Sequence, residues 1–410
     1  MKSLVVSQDF PWPVSLGSHL RLAQVIEALS DLGETDLFCF VPARRAEPCV
    51  LPVHLQNVRL KTVVRPRPSW SPRQRLSWLT LSTMPLELAQ EDATSPRREF
   101  ESWRADSYNF SWFSKATTFE LLGRPHLGPT IVDLDDLEDQ KIKSRLLALR
   151  GDDNAPGIRA RSHEALTRAQ AVINARRWSR FQRSVAASVD RVVLCSDLDA
   201  QRSGLPNVTV VPNGYDAPPN PAGREQVGVP PTFLLAGSFA YPPNADAATF
   251  FVSQILPHIR ERAGGVTVRL VGESSEAVTS LDDAPDVTVV GWVPAMDEEL
   301  ARADVVVVPL RYGSGTRVKI LEAAAHRIPI VSTTLGAEGL GFEDGKHLLI
   351  ADEPEDFASA CVRLLQEPQL RRHLVDEAEK EFLARFQWMR TAERIQDLVD
   401  SVVHQSGSSS

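Results

Sequence analysis

Between Tyr312 and Leu340 the chain reads YGSGTRVKILEAAAHRIPIVSTTLGAEGL. Gly313 and Gly315 alternate with Ser314 and Thr316, and Arg317, Lys319 and Glu322 follow at once. Glycines here let a ligand approach the main chain closely. A helix starting near Thr316 adds unpaired backbone N–H groups and about half a positive charge at its end. Arg317 and Lys319 in the first turn oppose that dipole, at a cost of about 0.3–1 kcal/mol each when exposed, unless an anion fills the loop. A diphosphate is the natural anion. Glu322, one turn further, can accept hydrogen bonds from vicinal hydroxyls, as acidic groups do for ribose. Together these groups describe a nucleoside diphosphate. The competing reading is a solvated helix start in which Glu322 merely pairs with Lys319, three residues away. No G-x-x-x-x-G-K-[ST] occurs, and no G-x-G-x-x-G precedes a helix.

Three other stretches carry candidate groups. LGSHLR sets Gly17 and Ser18 at a second helix N-terminus, either as a ligand loop or as a plain turn with a serine cap. His19 is as well explained as a surface side chain as a ligand. TIVDLDDLEDQ puts Asp133, Asp135 and Asp136 at a strand's carboxyl end. They could hold a divalent metal, contact a sugar or acceptor hydroxyl, or stay solvated. In VRPRPSWSPRQRLSW (64–78), arginines alternate with Trp70 and Trp78. That suits an anionic membrane surface or acceptor, but three prolines and an acidic chain favour a solvated loop.

The elements that must position these groups alternate strand and helix. In the second half, apolar β-branched runs occupy 232–238, 266–274, 287–291, 303–310, 328–334 and 347–351. Such near-continuous runs read as strands buried on both faces of a parallel sheet. The first half repeats the rhythm at SLVVSQ, DLFCFV, VRLKTVV, NFSWF, TIVDLDD, DRVVLCS and VTVVPNG, with a helix from near Ser18 and a long one over 162–188. The stretch 61–107 resists assignment. Strand–helix alternation predicts an α/β chain of two doubly wound, Rossmann-like domains. The expected divisions are 1–209, a proline-rich hinge over 210–231, and 232–385. A last helix within 386–404 is expected to cross back onto the first domain, and 405–410 to form a disordered tail.

The 410 residues exceed what one core usually organises. A net charge of −8 argues against a nucleic-acid partner. Cys39, Cys49, Cys195 and Cys361 show no metal or disulfide spacing, and no run approaches the ~20 residues of a membrane span. We expect a cytoplasmic protein.

The second half resembles the donor domain of the glycosyl transferases group 1 family, retaining enzymes of GT-B fold. The resemblance lies in PNGYD (212–216), LAGSFAYPPNADAATFF (235–251), LVGE (270–273), VVGWVPAMDEELARADVVVVPL (289–310) and GSGTRVKILEAAAHRIPIVSTTLGAEGL (313–340). It covers about 190–400 and is looser over 1–40. It implies GT-B architecture, with two domains facing each other across a cleft. It also implies transfer of a sugar from a nucleotide-diphospho-sugar to an acceptor hydroxyl, with retention. The acceptor could be a glycan, a lipid-linked sugar or a small molecule. No cofactor or metal is expected. Gly237, Ser238 and Asn244 would line the nucleotide, Trp292 would lie near the base, and the Gly17–His19 loop would face the diphosphate or acceptor. Asp135 falls roughly where many relatives place a histidine beside the reacting sugar.

Two departures stand out. Ser314 stands where the family commonly has the first of two glutamates, and the basic pair after the GS strand is missing. The second gives the phosphate role to Arg317 and Lys319 in a GSGTR-K variant. The first keeps open a catalytically silent subunit, and an epimerase of the same fold is a further alternative.

Overall fold

The computed structural model describes every residue except 15–16, 44–47, 66–76, 80–81, 90, 149–157, 225, 316 and 408–410. The chain forms two compact units, Met1–Val211 with Ala392–Ser410, and Pro212–Thr391.

The first unit is built on seven parallel strands: β1 (Lys2–Ser7), β2 (Glu34–Val41), β3 (Val58–Val64), β4 (Phe110–Ser114), β5 (Thr130–Asp135), β6 (Arg191–Leu194) and β7 (Val208–Val210). Their order is β3-β2-β1-β4-β5-β6-β7, so the winding reverses between β1 and β4. The principal helices are α1 (Gly17–Ser30), α2 (Glu138–Ala148), α3 (Ile158–Ala186) and α4 (Asp197–Ser203). Continuous apolar strands need cover on both faces. Leu4, Val6, Phe38, Phe113 and Val132 pack with Trp178, Phe181 and Val185 of α3 in one core. Leu22, Val25, Ile26 and Leu29 are all buried on α1.

The second unit has six parallel strands: β8 (Thr232–Ala236), β9 (Thr267–Val271), β10 (Val287–Gly291), β11 (Val305–Val308), β12 (Ile330–Ser332) and β13 (Leu349–Ile350). Their order is β10-β9-β8-β11-β12-β13, and the reversal falls between β8 and β11. Each matches one of the apolar runs read from the sequence. After β8, α5 (Pro242–Phe250) passes into a π-turn, Phe251–Ile255, before a last helical stretch, Leu256–Ala263. Pro257 removes one backbone donor from this helix, and the π-turn absorbs the mismatch. After β11 the chain enters α6 (Val318–Ala325).

The final helix α7 (Trp388–Gly407) buries Ile395, Leu398, Val399 and Val402 at helical spacing. It runs into the segment expected to be a disordered tail. Arg191 donates to Gln405 Oε1 at 2.8 Å and anchors that end. The 61–107 stretch contains the end of β3 and two short helices, Leu86–Ala89 and Thr94–Trp103. Arg65 pairs with Glu91, and Trp78 is buried with its Nε1 donating to Met84 O at 2.9 Å. Arg67, Trp70, Arg73 and Arg75 lie outside the described residues. Among the described residues no helix is long and apolar enough to cross a membrane.

Candidate functional site

In an open parallel sheet, ligands bind outside the carboxyl ends of the strands where the winding reverses. The second unit gathers most of the expected donor residues there. Gly237 follows β8 with φ +137°, and a Cβ on it would lie 2.9 Å from Asn244 Nδ2 and 3.1 Å from Lys319 Nζ. Lys319 Nζ donates to Asn244 Oδ1 at 3.0 Å, and Asn244 Nδ2 donates to Ser238 O at 2.9 Å. Ser238 Oγ donates to Glu273 Oε2 at 3.1 Å. Strand end, α5 and α6 thus converge on one lysine. The neighbouring strand end fits as closely: a Cβ on Gly272, φ +140°, would lie 2.1 Å from the carbonyl oxygen of Gly237.

The loop before α6 departs in detail from the sequence reading. The helix begins at Val318, with Arg317 as its cap residue in a non-helical conformation, so Arg317 stands before the first turn rather than in it. Arg317 is buried, and its Nη1 donates to Ser314 O and, at 2.6 Å, to Gly315 O. A guanidinium folded onto its own loop carbonyls shapes that loop. Gly313 lies beside it, with Arg317 Nη2 3.3 Å from where a Cβ would be. Thr316 lies outside the described residues.

Glu322 is half-buried, and its Oε1 accepts from Tyr215 Oη at 3.1 Å. Burial raises its pKa to about 7, with Asp297 adding to the rise and Tyr215 and Lys319 opposing it. Burial lowers Lys319 to about 7, the Arg317 charge adding to the fall and Glu322 opposing it. Tyr215 was missed in the sequence reading although it lies within the quoted PNGYD. Nothing in its spacing points a phenol at a carboxylate about a hundred residues away. Its backbone is held on both sides, Tyr215 N to Phe386 O at 2.9 Å and Trp388 N to Tyr215 O at 3.0 Å. Tyr215→Phe should therefore leave the backbone in place and remove one donor to a half-buried carboxylate. We expect a loss of about 1 kcal/mol in stability. It should be larger above pH 7, where Glu322 is ionised, than below. Urea titrations on either side of that pH check both the size and the sign.

Trp292 follows β10, the edge strand, and is 56% exposed. Among the described residues no hydrogen bond or ring contact joins it to the Lys319 cluster.

The first unit concentrates charge at its own reversal point. Arg21 of α1 is buried, its Nε and Nη2 on Asp133 at 3.0 and 3.1 Å, its Nη1 on Val211 O at 3.0 Å. Lys115 after β4 donates to Leu134 O at 3.0 Å, Asp135 Oδ2 at 3.1 Å and Asp136 Oδ1 at 2.9 Å. Lys141 of α2 also reaches Asp136, at 2.8 Å. Cys195 Sγ donates to Asp135 Oδ1 at 2.8 Å. Asp135 has φ +62°, unusual for a residue with a side chain, at a register shift between β5 and β6. Burial pushes its carboxyl up, but Lys115 and Arg21 outweigh that and hold it below the usual range. Asp135 is thus engaged through both oxygens by protein groups. Among the described residues no group of three or more His, Cys, Asp or Glu is placed to hold a metal.

Gly17 opens α1 and is exposed, while His19 faces Asp9, Nε2 to Oδ2 3.3 Å. The side chain of Ser18 lies outside the described residues. Arg21 was missed, yet its signal was legible: it sits four residues before Val25, on the apolar stripe of α1, where a cation needs a buried acid.

Residues 230–367, inside the second unit, match the family model described as Glycosyl transferases group 1. An uncharacterized 44.6 kDa protein in the cps region of Klebsiella pneumoniae is 24% identical over 140 residues, 32% of this chain and 36% of that protein. The chain therefore spans about a third of the length of the curated relative it matches. Among solved structures, sucrose-phosphate synthase from Thermosynechococcus elongatus superposes with a TM-score of 0.71 at 16% identity, covering 100% of each chain. HepE of Anabaena, solved with UDP and glucose, superposes at 0.63 with 14% identity over 98% of this chain and 100% of its own. The galactosyltransferase WaaB of the lipopolysaccharide outer core gives 0.57 at 11% identity, covering 98% and 99%. Two Rossmann-like parallel sheets that match these structures are the GT-B fold.

Proposed function

We propose that the protein transfers a sugar from a nucleotide-diphospho-sugar to an acceptor hydroxyl, with retention of anomeric configuration. The observation that carries this reading is Lys319, a desolvated cation at the reversal point of the second sheet, beside Gly237 and Asn244. A cation held at the expense of its own solvation is suited to stabilising the charge that develops on a leaving diphosphate. Arg317 rigidifies the loop that presents the backbone N–H groups. Glu322 holds the ribose in exchange for its bond from Tyr215. Among the described residues neither cluster pairs two free carboxylates, which agrees with the leaving phosphate oxygen deprotonating the acceptor itself. Retention rests on the family resemblance. Asp135 is the proposed contact for a sugar or acceptor hydroxyl, through the partly exposed edge of its carboxylate. HepE was solved with UDP and with UDP-glucose, which makes uracil the first base to try.

The test is calorimetry of UDP-glucose in buffers of different ionisation enthalpy. A bound diphosphate raises the Lys319 pKa from about 7, so above that pH binding should take up close to one proton. Ribose hydroxyls donating to Glu322 lower its pKa from about 7, so below that pH binding should release protons. The net proton count should change sign near neutrality. Binding without uptake at about pH 8 would remove Lys319 from the diphosphate site. Binding with neither transfer nor donor hydrolysis would favour the silent subunit, kept open by Ser314. An isomerised nucleotide sugar would favour the epimerase.

A further inference from the structure

We propose that α3 seats the first unit on an anionic membrane surface. From Ala169 to its end, the exposed residues of α3 are Ala169, Val172, Arg176, Arg180, Arg183 and Ser184. The first five recur at steps of three, four, four and three, so they form one stripe along the helix. On the opposite side Ala175, Trp178, Phe181, Val185 and Ala186 are buried. Ser184 stands at the edge of the stripe and accepts from Arg124 Nη1 at 3.0 Å. The stripe itself is arginine, valine and alanine, with neither an acid nor an uncharged hydrogen-bonding side chain.

An ordinary solvated face mixes signs, because like charges four residues apart repel and opposite ones attract. The chain is rich in acids, 53 against 45 lysines and arginines, yet α3 carries none from Ala169 to its end. Among the described residues neither Arg176 nor Arg180 has a hydrogen bond or an ion pair, and Arg183 bonds only to the neutral Ser179. Burial holds Arg177 below its usual pKa and the Arg180 charge adds to the fall, as an uncompensated positive field would. Charge therefore calls for an anionic partner, and the interleaved apolar residues decide its kind. A soluble polyanion would use the arginines alone. A bilayer interface uses both, with guanidinium groups on headgroup phosphates and the arginine stems and Val172 at the acyl boundary. Leu147 of α2, 64% exposed, extends the apolar part. It lies one turn beyond Lys143, which lines the same crevice as Arg183, and so faces the same side. From Val172 to Arg183 the stripe runs about 16 Å along a straight helix. All of these residues belong to the first unit, and their contact with a membrane is independent of the donor chemistry in the second.

The test is flotation of the full chain with vesicles, either of phosphatidylcholine alone or of an equimolar mixture with phosphatidylglycerol. Flotation is expected with the mixture only, and it should fall as salt is raised. Arg176→Gln/Arg180→Gln should lower the partition coefficient by at least about tenfold, each cation near such a surface accounting for about fivefold. Both arginines are exposed, so this variant should melt as wild type does. Val172→Gln should weaken flotation by a few-fold with no change of charge. Arg363→Gln/Arg372→Gln removes two exposed arginines from the second unit instead and should float as wild type does. Heparin serves as the soluble polyanion for comparison. Equal flotation with both kinds of vesicle, or none with either, overturns the proposal. So does an equal loss in the two arginine pairs, which would make net charge the cause. Heparin binding that needs Arg176 and Arg180, together with flotation indifferent to Val172→Gln, would give the stripe to a soluble polyanion and overturn it too.

Discussion

Lys319→Met should lower kcat/KM for sugar transfer by about 10²–10³-fold, the loss expected when one preorganised group facing developing negative charge is removed. The same variant should be at least as stable as wild type. Burial and the Arg317 charge hold the Lys319 pKa at about 7, far below the usual 10.5 of a lysine, so the folded protein disfavours the charged form. Between those two values the unfolded chain binds more protons than the folded one, and wild-type stability rises with pH across that window. Methionine keeps most of the apolar stem and drops the charge, so the variant lacks this slope. Its advantage should be full below about pH 7 and fade towards pH 10.5. The lost bond to Asn244 Oδ1 offsets part of the gain. Thermal melts at a series of pH values, run beside a transfer assay, read both effects. Turnover within a few-fold of wild type would sink the assignment of Lys319 to the leaving group.

The second large effect belongs to Arg21. Its guanidinium binds both oxygens of Asp133, and both side chains are buried. Removing one partner of such a pair costs about 3–5 kcal/mol, because the other is left buried and uncompensated. Arg21→Met should therefore lower amide protection in β1 and β5 by about 10²–10⁴-fold in hydrogen exchange. The double variant Arg21→Met/Asp133→Leu should be less destabilised than the single one, since it strands no charge. Arg21→Lys should recover only part of the loss, because an ammonium cannot reproduce the two-pronged contact or reach Val211 O as well. A single variant no less stable than the double one would mean that Asp133 finds another partner, with Lys115 the nearest cation.

The strand plan was legible because β-branched runs such as VVVV at Val305–Val308 admit few other readings. The Lys319 cluster was legible for a related reason: Gly237, Asn244 and Lys319 lie in the segments that follow β8 and β11, which parallel topology brings together. Lys115, Cys195 and Tyr215 were not, because each acquires its role from a partner far along the chain. Lys115 illustrates this well. In the sequence it is one lysine after NFSWFS, and only the β4·β5 register brings it onto Asp135 and Asp136. Arg317 was read as a ligand cation from its place in the loop. Its hydrogen bonds to Ser314 O and Gly315 O were not foreseen, a competition between side chain and backbone that spacing does not report.

Gly237 and Gly272 close one route of variation altogether. A side chain on Gly272 is blocked by the carbonyl of Gly237, and one on Gly237 by Asn244 and Lys319. The Gly272 obstacle is main chain, so no second substitution at position 237 can make room for it. Ordinary drift can trade one side chain for another across a packed pair. At Gly272 there is nothing to trade, and at Gly237 the φ of +137° disfavours a side chain even where Asn244 and Lys319 change, so the two strand ends are fixed points around which the rest must change. Divergence in what this unit accepts, natural or engineered, is thereby channelled to the other bank of the site, the segment from Arg311 to Lys319. That is where a library aimed at altered donor choice should be built.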